Sequence, residues 1–125
     1  MKRDMDLVRE ILLKIEEENQ PLRLGQLLKD PTDADETARY AYHLGMMSDQ
    51  GFIKGLHAKV MSGPEDWLEL ELTWRGQEFL DTLRDPTIWQ KSKAIATKAG
   101  GGGLQVLLDI GKALIVEAAK GMLKQ

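Results

Sequence analysis

A mainly helical α+β fold is predicted from three observations in this 125-residue chain. Apolar residues recur at helical spacing over residues 5 to 18, 32 to 50 and 74 to 84, the pattern of helices with one buried face. Ahead of the last of these, Leu68, Leu70 and Leu72 alternate with Glu69 and Glu71, the period of a half-buried strand. At Thr73 the strand period becomes a helix period without an intervening loop. Thr73 can cap the orphan N–H groups that follow, and Gly76, Phe79, Leu80 and Leu83 return at helical spacing.

The elements follow in order. Val8, Ile11, Leu12 and Ile15 form the inner face of a first helix over residues 5 to 18, capped by Asp4 or Asp6 and ended by Asn19-Gln20-Pro21. Leu22, Leu24, Leu27 and Leu28 supply a short second helix closed by Asp30-Pro31. A third helix starts in a double capping signal, Thr32 to Asp35 and Asp33 to Glu36, and runs to about Gln50. Tyr40, Leu44 and Met47 line its buried face, and Gly51 ends it. From Ile53 to Leu72 a hairpin is expected, with Leu56, Ala58 and Val60 alternating with His57, Lys59 and Met61, and with Ser62-Gly63-Pro64-Glu65-Asp66 as the turn. Gly76 has no side chain on the inner face of the next helix, which can therefore sit close against that hairpin. Asp85-Pro86 breaks this helix, and another runs from Thr87 to about Lys98.

Three helices, a hairpin and a closing helix in this order make a winged helix with the hairpin as its wing. The winged-helix domain is expected at 1–85, an additional helix at 86–99, a glycine linker at 100–103 and an amphipathic helix at 104–125. On that last helix Leu104, Leu107, Leu108, Ile115, Ala118 and Met122 share one side. Such a stripe needs a partner: its own domain, a second copy or a membrane surface. Few basic residues and no aromatic anchors argue against the membrane, so a homodimer through this helix is the preferred expectation.

Composition narrows the function. Apolar residues make up 42% and charged residues 30% of the chain, as in ordinary soluble domains. Cysteine is absent, which excludes disulfides and thiol chemistry. No apolar run approaches a membrane span or a signal peptide, so a cytoplasmic location and no membrane partner are expected. Residues 1 to 85 hold 11 Lys/Arg against 18 Asp/Glu, whereas residues 86 to 125 hold 6 against 2. The body is therefore acidic, which weighs against binding to a phosphate backbone.

Three blocks of sequence resemble the domain of unknown function 2513, an uncharacterised bacterial and prophage family. They are Met1-Lys2-Arg3-Asp4-Met5-Asp6-Leu7 leading to Ile11-Leu12; Tyr42-His43-Leu44 through Gly51-Phe52-Ile53; and Leu72-Thr73-Trp74 through Gly76, Phe79-Leu80-Asp81, Arg84-Asp85 and Trp89 to Lys93. The second block also resembles the end of the recognition helix in bacterial winged-helix regulators. The resemblance implies a winged-helix-like fold and frequent residence in phage or mobile DNA. It implies no activity, and Gln77 stands where a histidine would be expected.

A DNA-binding winged helix offers the outward face of its third helix to the major groove and its wing to the backbone or minor groove. Thr37, Arg39, Tyr42 and His43 are the candidates on the helix, and Lys54, His57 and Lys59 on the wing. Arg39 suits a bidentate contact with guanine, unless it only offsets Asp35 and Glu36. Asp33, Asp35 and Glu36 favour the helix dipole but repel phosphate. Two histidines without cysteine make no metal site, and no nucleophile stands beside a base. No cofactor, metal, catalytic residue or enzymatic activity is expected. Trp74 and Trp89 are expected in the core, while Trp67 beside the turn could be core or surface. Two functions remain: a phage- or prophage-associated DNA-binding regulator or accessory factor acting on double-stranded DNA, and a non-enzymatic module of the same shape that meets a host or phage protein.

Overall fold

The computed structural model describes residues 1–59, 63, 65–101 and 103–123. It is mainly helical with one two-stranded antiparallel sheet, in the order α1 (Met5–Glu17), α2 (Leu24–Leu27), α3 (Ala34–Asp49), β1 (Ile53–Ala58), β2 (Asp66–Leu72), α4 (Trp74–Leu83), α5 (Pro86–Lys98) and α6 (Leu104–Leu123). The chain divides into two compact units, Met1–Gln77 and Glu78–Gln125, with the division inside α4.

In the first unit the helix starts are set by side chains. The Asp4 carboxylate accepts from the Leu7 N–H and caps α1. Of the two capping signals before α3, Asp33 is the cap, accepting from the N–H groups of Asp35 and Glu36 at 3.0 and 3.1 Å. Glu36 reaches back instead to the N–H groups of Lys29 and Asp30. The core gathers Ile11 and Leu12 of α1, Leu24 and Leu27 of α2, Leu44 and Met47 of α3, Phe52 just before β1, and Leu70 of β2, all at most 2% exposed.

Leu22 lies outside the short second helix. Its backbone exchanges both hydrogen bonds with Leu70, at 2.8 and 3.1 Å, and adds a one-residue bridge to the edge of β2. Strand β2 also breaks its expected phase. Its register against β1 shifts between Lys54 and Leu56, and Glu69 adopts φ 54°, a left-handed conformation unusual for a residue with a Cβ. The extra residue brings Trp67 and Leu70 inward together, whereas Leu68 and Leu72 are only half buried. On β1, Leu56 is 61% exposed. Val60, Met61, Ser62 and Pro64 lie outside the described residues.

The strand-to-helix junction follows the sequence expectation. The Thr73 hydroxyl accepts from the Gly76 N–H at 3.1 Å and donates to the Gly51 carbonyl, while the Thr73 N–H donates to the Phe52 carbonyl. A Cβ on residue 76 would stand 2.0 Å from that same Phe52 oxygen, so glycine is required there. Trp74 departs from expectation. At the first position of α4 it is 86% exposed, because the inward positions of this turn are taken by Gly76.

In the second unit Asp85 caps α5 through the N–H groups of Thr87 and Ile88, with Pro86 at the first turn. Trp89 is 2% exposed and meets Phe79 edge-on at 6.4 Å between ring centroids. Gly100 and Gly101 have φ of 97° and 93° and close α5 by donating to the carbonyls of Thr97 and Ala96, a left-handed C-terminal cap. Gly102 lies outside the described residues. Helix α6 then runs back along α5, with Leu104, Leu107 and Leu108 buried and Gly111 against Leu83.

Candidate functional site

The outward face of α3 presents Asp35, Ala38, Arg39, Tyr42 and Asp49, all exposed. Arg39 is its one cation, and its guanidinium is ion-paired with Asp4 of the α1 cap, both side chains being partly exposed. Tyr42 is 40% exposed and stands edge-on to the His43 ring at 5.5 Å. His43 does not share that face, for it is fully buried. Its Nδ1 lies 2.7 Å from the Arg39 carbonyl, and its Nε2 accepts from the Asp4 N–H at 2.8 Å. This pairing fixes the neutral tautomer with the proton on Nδ1 and uses both ring nitrogens to join α1 to α3.

Thr37 lies on another side of α3 from Arg39 and Tyr42, and its hydroxyl donates back to the Asp33 carbonyl at 2.8 Å. It lines a groove of about 410 Å³ between α2, α3 and the hairpin. Leu24, Leu28, Pro31 and Ala58 line this groove together with Glu65 and Asp66. Asp66 also borders an adjoining groove with Arg23, whose guanidinium is 3.5 Å from it. On the hairpin, Lys54 pairs across to Glu71 at 3.5 Å. His57 stacks on Trp67 at 4.5 Å and pairs with Glu65. Alternation along β1 points Lys54 and His57 to opposite faces, and Lys59 lies exposed past the strand end. The seven candidate residues therefore fall in several places and make no common basic surface.

A further cavity of about 390 Å³ opens between the starts of α1 and α3. Asp4, Asp6, Glu10, Asp33, Asp35 and Glu36 line it, facing Lys29 and Arg39. Beside it the Thr32 hydroxyl and N–H hold the Asp30 carboxyl below its ordinary value. Among the described residues no group of three or more His or carboxylate side chains is placed to hold a metal ion. No described helix is long and apolar enough to cross a membrane.

Asp4 and His43 take structural roles that the sequence did not give them. Asp4 reads as a cap alone, yet it also holds Arg39 and its backbone meets His43. The spacing of Tyr40, His43, Leu44 and Met47 already puts His43 on the inward face, a signal open to sequence reasoning. Trp74 had no such signal.

A three-helix body carrying a short antiparallel hairpin, with Arg23, Arg39 and Lys54 each paired to a carboxylate, defines a small α+β helix-and-hairpin module. The chain belongs to the family described as hypothetical protein (DUF2513), the domain of unknown function 2513, which it matches over residues 2–102. An uncharacterized protein of Haemophilus influenzae is 30% identical over 116 residues, covering 92% of this chain and 96% of that protein. No solved structure matches the chain.

Proposed function

We propose that this protein is a winged-helix-shaped, non-enzymatic interaction module whose acidic body docks a protein segment. The winged-helix reading is supported by the order helix, bridge strand, helix, helix, hairpin, with Leu22 against Leu70 supplying the bridge. The observation that carries the docking reading is the groove beside Thr37. The apolar lining of Leu24, Leu28, Pro31 and Ala58, together with Glu65 and Asp66, whose present partners His57 and Arg23 are exposed and can be exchanged, suits an apolar segment with a flanking lysine or arginine. A phosphate backbone would meet the wrong sign there, and also at Asp35 and Asp49 on α3.

A second reading, a DNA-binding regulator of phage origin, draws on Lys54 and Lys59 standing exposed on the hairpin. Nuclear magnetic resonance titration separates the two. A probe peptide of alternating leucine and lysine is expected to shift the amides of Leu28, Ala58 and Asp66, while a random-sequence duplex leaves the spectrum unchanged. Shifts at Arg39, Lys54 and Lys59 with the duplex, and none with the peptide, would reverse the assignment.

A further inference from the structure

Helix α6 has 20 residues against 13 in α5, and Gly111 already stands against Leu83 before the turn into α5. Past Lys112 most of α6 is exposed: Leu114 is still half buried, but Val116 is 50%, Met122 75% and Leu123 86% exposed. The inner stripe expected to dimerise is split by this geometry. Leu104, Leu107 and Leu108 are buried within their own unit, while Ile115, Ala118 and Met122 are exposed.

A second stripe lies on the outward side. Val106, Asp109, Ala113, Val116, Lys120 and Leu123 are all exposed and follow one another at steps of three and four, the spacing of a heptad seam about 25 Å long. We infer that α6 pairs antiparallel with α6 of a second copy along this outward seam. In that register Val106 meets Leu123, Asp109 meets Lys120 and Ala113 meets Val116, and each pair occurs twice about the two-fold axis. A parallel pair in register would instead set Asp109 on Asp109 and Lys120 on Lys120. The charges therefore select direction and register, the best attested use of polar groups in a helix seam. Their present contacts are surface ones that can be exchanged: Asp109 accepts from Gln105 at 2.9 Å, and Lys120 lies 3.9 Å from Glu117. The pairing is independent of what the groove at Thr37 binds.

Charge reversal tests it. Sedimentation equilibrium of the full chain, from micromolar to millimolar, is expected to show a monomer–dimer equilibrium. Asp109→Lys and Lys120→Asp should each weaken it at least tenfold, since each sets like charges opposite one another. The double variant should restore it, and so should an equimolar mixture of the two single variants, whose seams are complementary. Circular dichroism of each variant should match that of the parent, because both side chains are exposed. A parent that stays monomeric throughout, single variants that dimerise undiminished, or a mixture without rescue would overturn the inference. So would a monomer that sediments with phosphatidylcholine or phosphatidylglycerol vesicles, which would give the apolar overhang to a lipid surface.

Discussion

The two compact units differ in where their longest exposed apolar stretch lies and in how their side chains are tied to backbone. In Met1–Gln77 the polar groups close on one another: His43 spends both nitrogens on backbone, Arg39 turns to Asp4, and Thr73 ties the hairpin to α4. Each unit buries one polar atom without a hydrogen-bond partner, Trp67 Nε1 in the first and Ser92 Oγ in the second, but in Glu78–Gln125 the end of an apolar helix is also exposed, with Met122 75% and Leu123 86% exposed. The lesson is that a well-capped, acidic body offers grooves and surface charge, whereas the helical appendage offers uncovered hydrocarbon. Recognition by the first is expected to be steered by charge, and association by the second to be driven by burial.

The tryptophans give the largest contrast. Trp89→Ala in the second unit should cost about 3–5 kcal/mol, as for other fully buried aromatic residues. Trp74→Ala in the first unit should change stability by less than about 0.5 kcal/mol, as at exposed positions. Urea unfolding midpoints measure both, and equal costs would erase the assignment of one ring to the core and the other to the surface.

Glycines sharpen the comparison at the lower end of that scale. Gly76→Ala drives a Cβ onto the Phe52 backbone, which cannot give way, so a loss of about 3 kcal/mol is expected. Gly111→Ala meets side-chain atoms rather than backbone, Leu83 Cδ2 at 2.6 Å and Thr82 Cγ2 at 3.1 Å, and it gains helix propensity of about 1 kcal/mol. Its net effect should be close to zero in the same unfolding experiment. A costly Gly111→Ala would mean that the second unit is packed as rigidly as the hairpin junction.

Ser92→Ala should stabilise the chain by about 1 kcal/mol, because it removes a buried hydroxyl that has no partner and improves the helix. A loss of stability in thermal unfolding would mean that the hydroxyl is satisfied after all. The smallest effect is electrostatic. Thr32→Ala removes the hydroxyl that lowers the Asp30 carboxyl, so the Asp30 titration should move upward toward the ordinary carboxylate value. The sign follows from linkage. A lowered carboxyl stabilises the fold above its unfolded value and loses that contribution as pH falls through the folded one, so the variant should be less sensitive to acid at this position. Carboxyl chemical shifts across the acid range measure it.

Much of this fold is legible along the chain because its signals are local. Asp33 before α3, Asp85-Pro86 before α5 and Thr73 with Gly76 at the hairpin junction act on their own neighbours, and the structure uses them where the spacing says. What is not legible depends on partners distant in sequence. Leu22 reads as part of a helix until Leu70 arrives to pair with it. The phase of β2 cannot be read through a bulge that places Glu69 in a left-handed conformation. Trp74 has the hydrophobicity of a core residue, and only the close approach at Gly76 turns it outward. For the candidate site, the acidic character of the body is plain from composition, but the pairing of Arg39 with Asp4 joins residues too far apart in sequence for any spacing rule to show.

The most direct test of a body closed to phosphate is fluorescence anisotropy of a labelled random-sequence duplex titrated with the full chain at low salt. A flat signal at micromolar protein is predicted, since the α3 face has its one cation already paired. Saturable binding that falls steeply with salt, and weakens in Arg39→Ala or Lys59→Ala, would contradict it.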